Sequence, residues 1–559
     1  MKKIIVYLAA CTFLFSSCSD YLNKFPLDSP SDQTFLATET EMEMALAGCY
    51  TPIWLSFEDM SFFLAFDGAA DIGYDRNTSA LQQMAQGSAD AKNDMALNFW
   101  TGFYRGISRC NYLLTNMPRS EANVPAATYT RIKAEAQFLR ALYYFYLVEL
   151  YGDVPLMTAP LSLAESQISR TPKSQVVDFI LSELTEAAAV LSPTNNPTSG
   201  RPSKGAALAI KARTALFNER WQDAISAASE VMALEGSQYI LDNDYANLFA
   251  YPGQTSKEII FSIQYLKGQK VHPIYRLFGS RNAAGHTNKK PAYQLQDAYE
   301  CIDGLSIDKS PLYNPAKPYE NRDPRLEYTL AVPGSVFLGY QFETHGDSLE
   351  CWNYLTNTRV GNQDATNAYA TFTGICWRKY ANVEDRTGVN DCDNNTIVIR
   401  YAEVLLTYAE AKIKAGQIDA SVLEAINKVR ARVDMPPVTT TEPTELFYAV
   451  ARERKYELSG EGHRLFDIRR WKIANDVMNM ELLGRMKRSL PDKAPRIDEW
   501  ATAHYEGTGI PISEPGGSSD FAMRVVDIRN FNPNKDYLWP IPYIERQTNP
   551  SMTQNPNWE

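Results

Sequence analysis

Groups that bind metals or cross-link secreted chains are scarce in this sequence. Its 559 residues include five histidines and eight cysteines, and no two cysteines form a CxxC pair. The histidines are His272, His286, His345, His463 and His504. No two of them are four residues apart, and the polar turn 242–244 (Asp-Asn-Asp) lacks the closing glutamate of a calcium loop. The sequence therefore predicts no cofactor and no metal site, with Ca²⁺ at that turn as the alternative left open.

Basic residues are also in the minority. There are 55 lysines and arginines against 66 aspartates and glutamates, so the formal net charge is −11. Loss of Lys2 and Lys3 with a cleaved leader would leave a charge of −13. Because long polyanions bind to basic faces, nucleic acid is excluded as an expected partner.

A long hydrophobic run occurs only at the N-terminus. Lys2 and Lys3 precede the apolar stretch Ile4–Phe15, which is followed by small residues. This order is typical of an export signal, and the stretch is too short to span a membrane. A resemblance to the lipobox of bacterial lipoproteins rests on Leu14, Ser16, Ser17 and Cys18. It implies a signal peptide over residues 1–17, lipidation (palmitate) at Cys18 and a tether over residues 18–34, with a cleaved secretory signal as the alternative.

Helical periodicity dominates the rest of the chain. In Ala134–Leu156 apolar residues recur every three or four positions and cover most of the helix surface, which indicates burial on several sides. Gly152 and Pro155 predict where this helix ends. Further helices are predicted over 35–54, 95–117, 172–191, 204–217, 221–234, 396–416, 422–433 and 445–458, and a strand over 259–265.

These elements predict a mainly α fold. Trp221 and Ala224 occupy the places that tryptophan and a small residue take in a tetratricopeptide unit. We predict one domain over residues 35–559, with tetratricopeptide-like helix-pair repeats over about 35–235 and 395–475. A loop-rich, partly β insertion covers about 236–394, and a C-terminal loop region covers 476–559. Cys49 and Cys110 are expected to be buried thiols, while a disulfide among Cys301, Cys351, Cys376 and Cys392 stays open.

Seven stretches carry a family resemblance. They are AEAQFLRALYYFYLVELYGDVPL, RPSKGAALAIKARTALF, KPAYQLQDAYECIDG, NRDPRL, IVIRYAEVLLTYAEAKIKAG, ERKYELSGEGHRLFDIRRW and PIPYIERQTNPSMTQNPNW. Together, and in this order, they resemble the SusD/RagB family of outer-membrane nutrient-binding lipoproteins. The resemblance implies a right-handed superhelical tetratricopeptide scaffold, a lipid-anchored position at the cell exterior, and capture of glycan for a SusC-like TonB-dependent transporter. Capture of peptide by a RagB-like member is the alternative.

A glycan site should combine exposed aromatic rings with polar side chains, because rings stack on the apolar face of a sugar and polar groups bond its hydroxyls. Most tyrosines lie in helical stripes, which predicts that they are buried. The loop candidates are Asp67, Asp71, Tyr74, Arg76, Tyr275, Arg276, Phe278, Trp352, Trp377 and Arg378. The net charge favours a neutral glycan, which we predict, although the local basic residues Arg276, Arg281, Lys289 and Lys290 oppose this preference.

Two groups of acids bear on the alternative of a glycoside hydrolase. Asp67 and Asp71 are four residues apart, and Asp297, Glu300 and Asp303 are close in sequence. Hydrolysis needs two carboxyl groups at a fixed separation of about 5–10 Å, which sequence spacing does not indicate. We predict binding without catalysis. The charged segment 453–471 (ERKYELSGEGHRLFDIRRW) is predicted to form an ion-pair network, and a structural adaptor without any small ligand is a further alternative.

Overall fold

The structure, a computed structural model, describes residues 35–77, 79–485, 493–505, 510–511 and 523–558. Helices hold 45% of the chain and strands 12%, so the fold is mainly α, as predicted. The predicted signal peptide (1–17), Cys18 and the tether (18–34) lie outside the described residues. No described helix combines the length and hydrophobicity that a membrane span requires.

Long helices alternate with short helices and strands along the chain. In chain order, the helices are α1 Glu39–Tyr50, α2 Phe62–Gly68, α3 Ala80–Gln86, α4 Asp94–Asn116, α5 Ala126–Tyr151, α6 Lys173–Val190, α7 Lys204–Phe217, α8 Trp221–Met232, α9 Tyr245–Leu248, α10 Ile274–Phe278, α11 Tyr293–Ala298, α12 Arg325–Thr329, α13 Gln363–Thr366, α14 Tyr401–Lys414, α15 Ala420–Ala431, α16 Pro443–Leu458, α17 Arg464–Arg470, α18 Ala474–Val477 and α19 Tyr543–Thr548. The strands are β1 Ser56–Phe57, β2 Met60–Ser61, β3 Gly73–Asp75, β4 Ile259–Ile263, β5 Lys289–Pro291, β6 Leu330–Ala331, β7 Val336–Phe337, β8 Tyr340–Gln341, β9 Glu350–Asn353, β10 Thr358–Gly361, β11 Cys376–Trp377, β12 Thr396–Arg400, β13 Glu481–Arg485, β14 Arg496–Ile497, β15 Ala503–His504, β16 Ile510–Pro511 and β17 Met523–Ile528.

The long helices pack largely in the order in which they occur. Contacts join α4 to α5, α5 to α6, α6 to α7, and α7 to α8. α14 then packs on α8 and also contacts α15 and α16. This sequential packing is what helix-pair repeats predict. The right-handed superhelix and the single-domain boundaries stay predictions.

Helix α5 lies at the centre of the hydrophobic core. Between Ile132 and Tyr151 almost all of its side chains are buried. The ring of Tyr146 stacks on Phe103 at 5.5 Å and meets Phe62 edge-on at 5.1 Å. Burial of each large apolar side chain stabilises the folded state by about 1.5–3 kcal/mol. The helix ends at Tyr151, before Gly152 at φ +73°, a conformation that suits glycine.

One predicted helix begins five residues later than expected. Residues 396–400 form strand β12, which pairs antiparallel with β4, and helix α14 starts at Tyr401. The strand is fully buried and rich in β-branched side chains, which favour a pleated sheet over a helix. In the predicted C-terminal loop region, strands β13, β17 and β16 form a three-stranded sheet.

The region between the two groups of long helices holds short strands and helices. Strands β7–β10 form a four-stranded antiparallel sheet. Strand β3 pairs antiparallel with β5, so Tyr74 lies opposite Lys290 and Asp75 opposite Lys289. Cys49 and Cys110 are buried free thiols, as predicted. The four cysteines whose pairing the sequence leaves open are also free: Cys301, Cys351, Cys376 and Cys392.

Candidate functional site

Asp67 and Asp71, two of the predicted ligand residues, lie in the interior and hold distant segments together. The Asp67 carboxylate accepts the backbone N–H groups of Gly460 (2.8 Å), Gly462 (2.9 Å) and Arg464 (3.1 Å). Asp71 forms a two-pronged ion pair with Arg464, at 2.8 Å for each bond. Burial raises the pKa of Asp67 to about 6, against the effect of the three N–H donors. Both carboxylates are committed to the scaffold, so the structure does not support a ligand or catalytic role for them.

Four predicted aromatic ligand residues are also buried. Tyr74, Tyr275, Phe278 and Trp377 expose at most 5% of their surface, and Tyr275 exposes none. A ring without exposed area cannot stack on a dissolved sugar. These four residues were wrongly expected at the surface because a loop-like sequence context does not reveal whether its rings point inwards.

The other predicted residues are partly exposed, on separate elements. Arg276 forms an ion pair with Asp59 at 2.9 Å. Trp352 lies half-buried in strand β9. Arg378 donates to the carbonyl of Val336 at 2.9 Å, which ties it to the four-stranded sheet. A ligand role for these residues, and for Arg76, stays a prediction, and among them only Arg76 lies close to an exposed aromatic ring, that of Tyr369.

The most favourable ligand surface surrounds Tyr369, in the loop after α13. Tyr369 is 63% exposed. The Arg76 guanidinium lies 5.3 Å and that of Arg281 5.8 Å from the centre of its ring. The nearby ring of Phe372 has Lys290 Nζ at 4.2 Å and the Arg524 guanidinium at 5.2 Å. We call this group the cationic patch: Arg76, Arg281, Lys290, Arg524, Tyr369 and Phe372.

Hydrogen bonds hold the backbone of Tyr369 in place. Its carbonyl accepts from Arg76 Nη1 (2.5 Å), Arg281 Nε (3.0 Å) and Thr287 Oγ1 (3.1 Å). Its N–H donates to the side chain of Asn367 at 2.8 Å. The backbone that carries the exposed ring is therefore held in place before any ligand arrives, which lowers the entropic cost of binding.

A compact loop, residues 279–287, carries Arg281 and His286 to the patch. The N–H of His286 donates to the carbonyl of Arg276 at 2.7 Å, and that of Thr287 donates to Gly279 at 3.2 Å. A Cβ on Gly285 would lie 2.0 Å from the Gly279 carbonyl oxygen, so only glycine allows this close approach. His286 is exposed beside the patch.

The pairing of β3 with β5 brings the remaining basic residues together. Lys290 lies opposite Tyr74, and the N–H of Arg76 donates to the carbonyl of Asn288 at 2.9 Å. Arg76 and Lys290 are thus neighbours across an antiparallel ladder, although 214 residues separate them in sequence. No period in the sequence indicates such a contact.

Positive charge accumulates in this patch. Burial and then the charge of Arg281 lower the pKa of Arg76. Burial and the charges of Arg276, Arg281 and Arg76 lower the pKa of His286, so its imidazole is neutral at pH 7. Burial, followed by the charge of Arg76, holds the pKa of Lys290 well below its usual range. Burial is the first cause of each shift, and the like charges of neighbouring basic residues add to it.

The sequence contained part of the signal for this site. Arg76 is one of the predicted loop residues, and Arg281 and Lys290 are among the local basic residues of the sequence. Tyr369 was missed, although it lies among small and polar residues without helical spacing (NAYATFTG), a context typical of an exposed ring. Phe372 and Arg524 could not be found, because only the tertiary fold brings them to the same surface.

Two larger clefts lie elsewhere. One, of about 780 Å³, is lined by Trp54, Tyr265, Arg105 and Arg109, among others. Another, of about 670 Å³, lies beside Trp471. Within the residues that the structure describes, no three histidine, cysteine, aspartate or glutamate side chains form a metal cluster. In the turn considered for Ca²⁺, Asp242 accepts the N–H of Asp244, and Asp244 caps α9.

Known proteins resemble this chain over most of its length. The SusD family model matches residues 257–558, and a model described as "Starch-binding associating with outer membrane" matches residues 21–216. SusD-like protein P25 of Formosa agariphila is 27% identical over 517 residues, 86% of this chain and 91% of that protein.

Solved structures agree with these matches. A SusD-like carbohydrate-binding protein from Bacteroides fragilis is 30% identical with a TM-score of 0.79, covering 93% of this chain and 100% of that one. A laminarin-binding SusD-like protein has a TM-score of 0.68 at 23% identity, over 93% of this chain and 99% of that one. The SusD family model alone spans more than half of the sequence. The chain belongs to the SusD/RagB family.

Proposed function

We propose that this protein captures glycan at the cell surface without cleaving it, and delivers it to a SusC-like TonB-dependent transporter of the outer membrane. The observation that carries the proposal is the exposed ring of Tyr369. The backbone carbonyl of this residue accepts three hydrogen bonds, two of them from arginine side chains. Membership in the SusD family supports it, as do a carbohydrate-binding relative and a laminarin-binding one.

The arrangement suits a sugar on physical grounds. A flat exposed ring offers a stacking surface for the apolar face of a pyranose, while the guanidinium groups donate to its oxygen atoms. A single such site is expected to be weak, because the sugar exchanges bonds with water for bonds of similar strength. Several sugars of one polymer, or closure over the transporter, would supply further affinity.

The N-terminal signal supports the proposed location. Lipidation at Cys18 would anchor the protein to the outer membrane through residues 18–34, with the binding loops facing the cell exterior. Substitution Cys18→Ala is expected to release the protein from the membrane fraction of the producing cell. The intact lipoprotein is expected to co-purify with a transporter from mildly solubilised outer membranes.

The direct test is calorimetric titration of the soluble chain, starting at Ser19, with a panel of polysaccharides and one peptide digest. Tyr369→Ala is expected to weaken glycan binding by about five-fold or more, since loss of a stacking ring costs on the order of 1 kcal/mol. Tyr543→Ala is the matched control, because Tyr543 is 42% exposed with a lysine over its ring, on α19.

Each outcome has a distinct meaning. Binding of a glycan that is lost in Tyr369→Ala and kept in Tyr543→Ala supports capture at the cationic patch. Binding of peptides alone would establish the RagB-like alternative. Loss of binding in Arg105→Gln, with Tyr369→Ala unaffected, would move the site to the cleft beside Trp54. Release of free sugar during the titration would contradict binding without catalysis.

A further inference from the structure

Resting on this proposed function, we propose that the cationic patch selects glycans bearing carboxylate or sulfate groups, with the acidic group bound by Arg76 and Arg281 beside the Tyr369 ring. The net charge of the chain favoured a neutral glycan. The local geometry points the other way, because the charge that a ligand meets is set by the groups within a few ångströms of it.

The basic side chains of the patch have no acidic partner among the residues that the structure describes. Among the described residues, no carboxylate forms an ion pair with Arg76, Arg281, Lys290 or Arg524. The buried carboxylate of Asp364 lies close to Arg281, but it accepts the backbone N–H groups of Arg281 (2.6 Å) and Asn282 (3.4 Å).

Two basic residues next to the patch, unlike those of the patch itself, form ion pairs with carboxylates. Arg276 pairs with Asp59 at 2.9 Å, and Lys289 pairs with Asp75 at 2.5 Å and with Glu58. Carboxylates are therefore present around the patch, but they serve other cations. The positive charge of the patch is not compensated by the general acidity of the chain.

The two arginines also keep N–H donors for a ligand. Arg76 uses Nη1 for the Tyr369 carbonyl, and its Nε and Nη2 make no hydrogen bond to a described residue. Arg281 uses Nε for the same carbonyl and Nη1 for that of Gly285 at 3.3 Å, which leaves Nη2. A guanidinium edge with two free N–H groups matches the two oxygens of a carboxylate or sulfate.

Lys290 adds a buried amino group that pairs with no described carboxylate. Its side chain is buried, with 1% exposure, and its Nζ makes no hydrogen bond to a described residue. Its Nζ lies at the distance of a cation–π pair from two rings, 4.2 Å from the centre of Phe372 and 5.6 Å from that of Tyr74. A buried ammonium without a counter-ion is costly, and a nearby anion would relieve that cost.

The test uses ligand pairs that differ only in charge. One pair is galacturonate oligomers with free or with methyl-esterified carboxyl groups. The other is carrageenan oligomers before and after removal of sulfate. Each is titrated into the soluble chain at about 50 mM and about 300 mM salt, since exposed charges are screened over this range. The pairs also separate a carboxylate preference from a sulfate preference.

The matched variants keep the total charge change equal. Arg76→Gln with Arg281→Gln removes two charges from the patch. Lys133→Gln with Lys257→Gln removes two exposed charges from α5 and from the segment before β4. Thermal unfolding of each variant verifies the fold, and the comparison of acidic with neutral ligands in the unmodified protein does not depend on any variant.

We expect at least one acidic oligomer to bind about ten-fold or more tightly than its neutral counterpart. This binding should weaken at high salt. It should also weaken by about ten-fold or more in the patch variant and stay unchanged in the control variant. Equal binding of the acidic and neutral members, or an unaffected patch variant, overturns charge selection and leaves glycan capture intact. Absence of binding by both acidic oligomers also overturns the inference, while the broader panel with Tyr369→Ala decides glycan capture separately.

Discussion

Arginine side chains are concentrated in two regions of this molecule, and their partners differ. In the interior, Glu457 accepts from Arg325 (3.1 Å), Arg400 (2.5 Å) and Arg432, all of them almost fully buried. We call this group, with the acids and bases joined to it, the buried ion-pair network. In the cationic patch, arginines contact aromatic rings and backbone carbonyls, and no described carboxylate pairs with them.

The difference separates structural charge from charge that is available to a ligand. Burial alone would raise the pKa of Glu457, yet Arg432, Arg400 and Arg325 hold it well below its usual range. Such a carboxylate cannot leave its partners without a large cost. At the patch, the pKa of Arg76 and that of His286 are both lowered, first by burial and then by like charges. The arginines of the network are paired with carboxylates, whereas those of the patch pair with no carboxylate of the described residues.

Breaking the network is expected to have the largest effect. Glu457→Ala leaves three buried guanidinium groups short of a counter-charge, which should lower the free energy of unfolding by about 3–5 kcal/mol. Denaturant unfolding measures the change. Glu320→Ala is the control, because Glu320 forms an exposed pair with Lys317 at 2.9 Å and should cost less than about 1 kcal/mol. Equal losses in the two variants would contradict the contrast.

A pH effect of intermediate size should come from His463, at the start of α17. Burial, assisted by Arg213 and Arg454, lowers its pKa to about 4, although Glu403 opposes the shift. The imidazole is neutral in the folded protein. Its contribution to the free energy of unfolding is therefore complete above pH 6.5 and is lost as the pH falls towards 4. The shift corresponds to about 3 kcal/mol.

The check is the stability of His463→Gln across that range. Glutamine does not titrate, so the variant should lose less stability than the unmodified protein between about pH 6.5 and pH 4. His504→Gln is a suitable comparison, since the His504 side chain is only partly buried. If the stability of His463→Gln changes with pH in parallel with that of the unmodified protein, the assignment of this pH effect to His463 is wrong.

The smallest effect on stability is expected at the patch. Arg281→Gln removes a cation that pairs with no described carboxylate and keeps a side-chain N–H for the Tyr369 carbonyl. Its free energy of unfolding should change by less than about 1 kcal/mol, while acidic glycan binds more weakly. Thermal unfolding and calorimetry on the same sample measure both. A loss comparable to that of Glu457→Ala would show that the patch is part of the scaffold.

Much of the fold could be predicted because helical spacing and end signals are local. The second long helix, predicted over 95–117, is found as α4, Asp94–Asn116, and Gly152 ends α5 as expected. The charged segment 453–471 forms ion pairs as predicted, for example Arg454 with Asp467 at 2.9 Å. Strand β12 was missed because its identity depends on pairing with β4, more than a hundred residues earlier.

The candidate site was predictable only in part, for the same reason. Arg76 and the basic residues near position 290 are visible in the sequence, but their approach to Tyr369 and Phe372 is a tertiary contact. Burial was the main source of error: Asp67, Asp71, Tyr275 and Trp377 occur in loop-like sequence, yet each is needed by the interior. The sequence identifies the chemistry of each side chain, and the tertiary fold determines which groups that side chain contacts.

The bonds of Asp67 have a consequence for biosynthesis. Its carboxylate depends on N–H donors that follow it by 393 residues or more, and Arg529 binds the carbonyls of Ala70 and Gly73 at 2.7 Å. During synthesis the N-terminal segment emerges long before these partners exist. Closing so long a loop is slow, because chain entropy is lost before the contacts form. A chain that ended before Gly460 would leave the Asp67 carboxylate without these donors, so the native interior is completed only after the segment through Arg529 has been made.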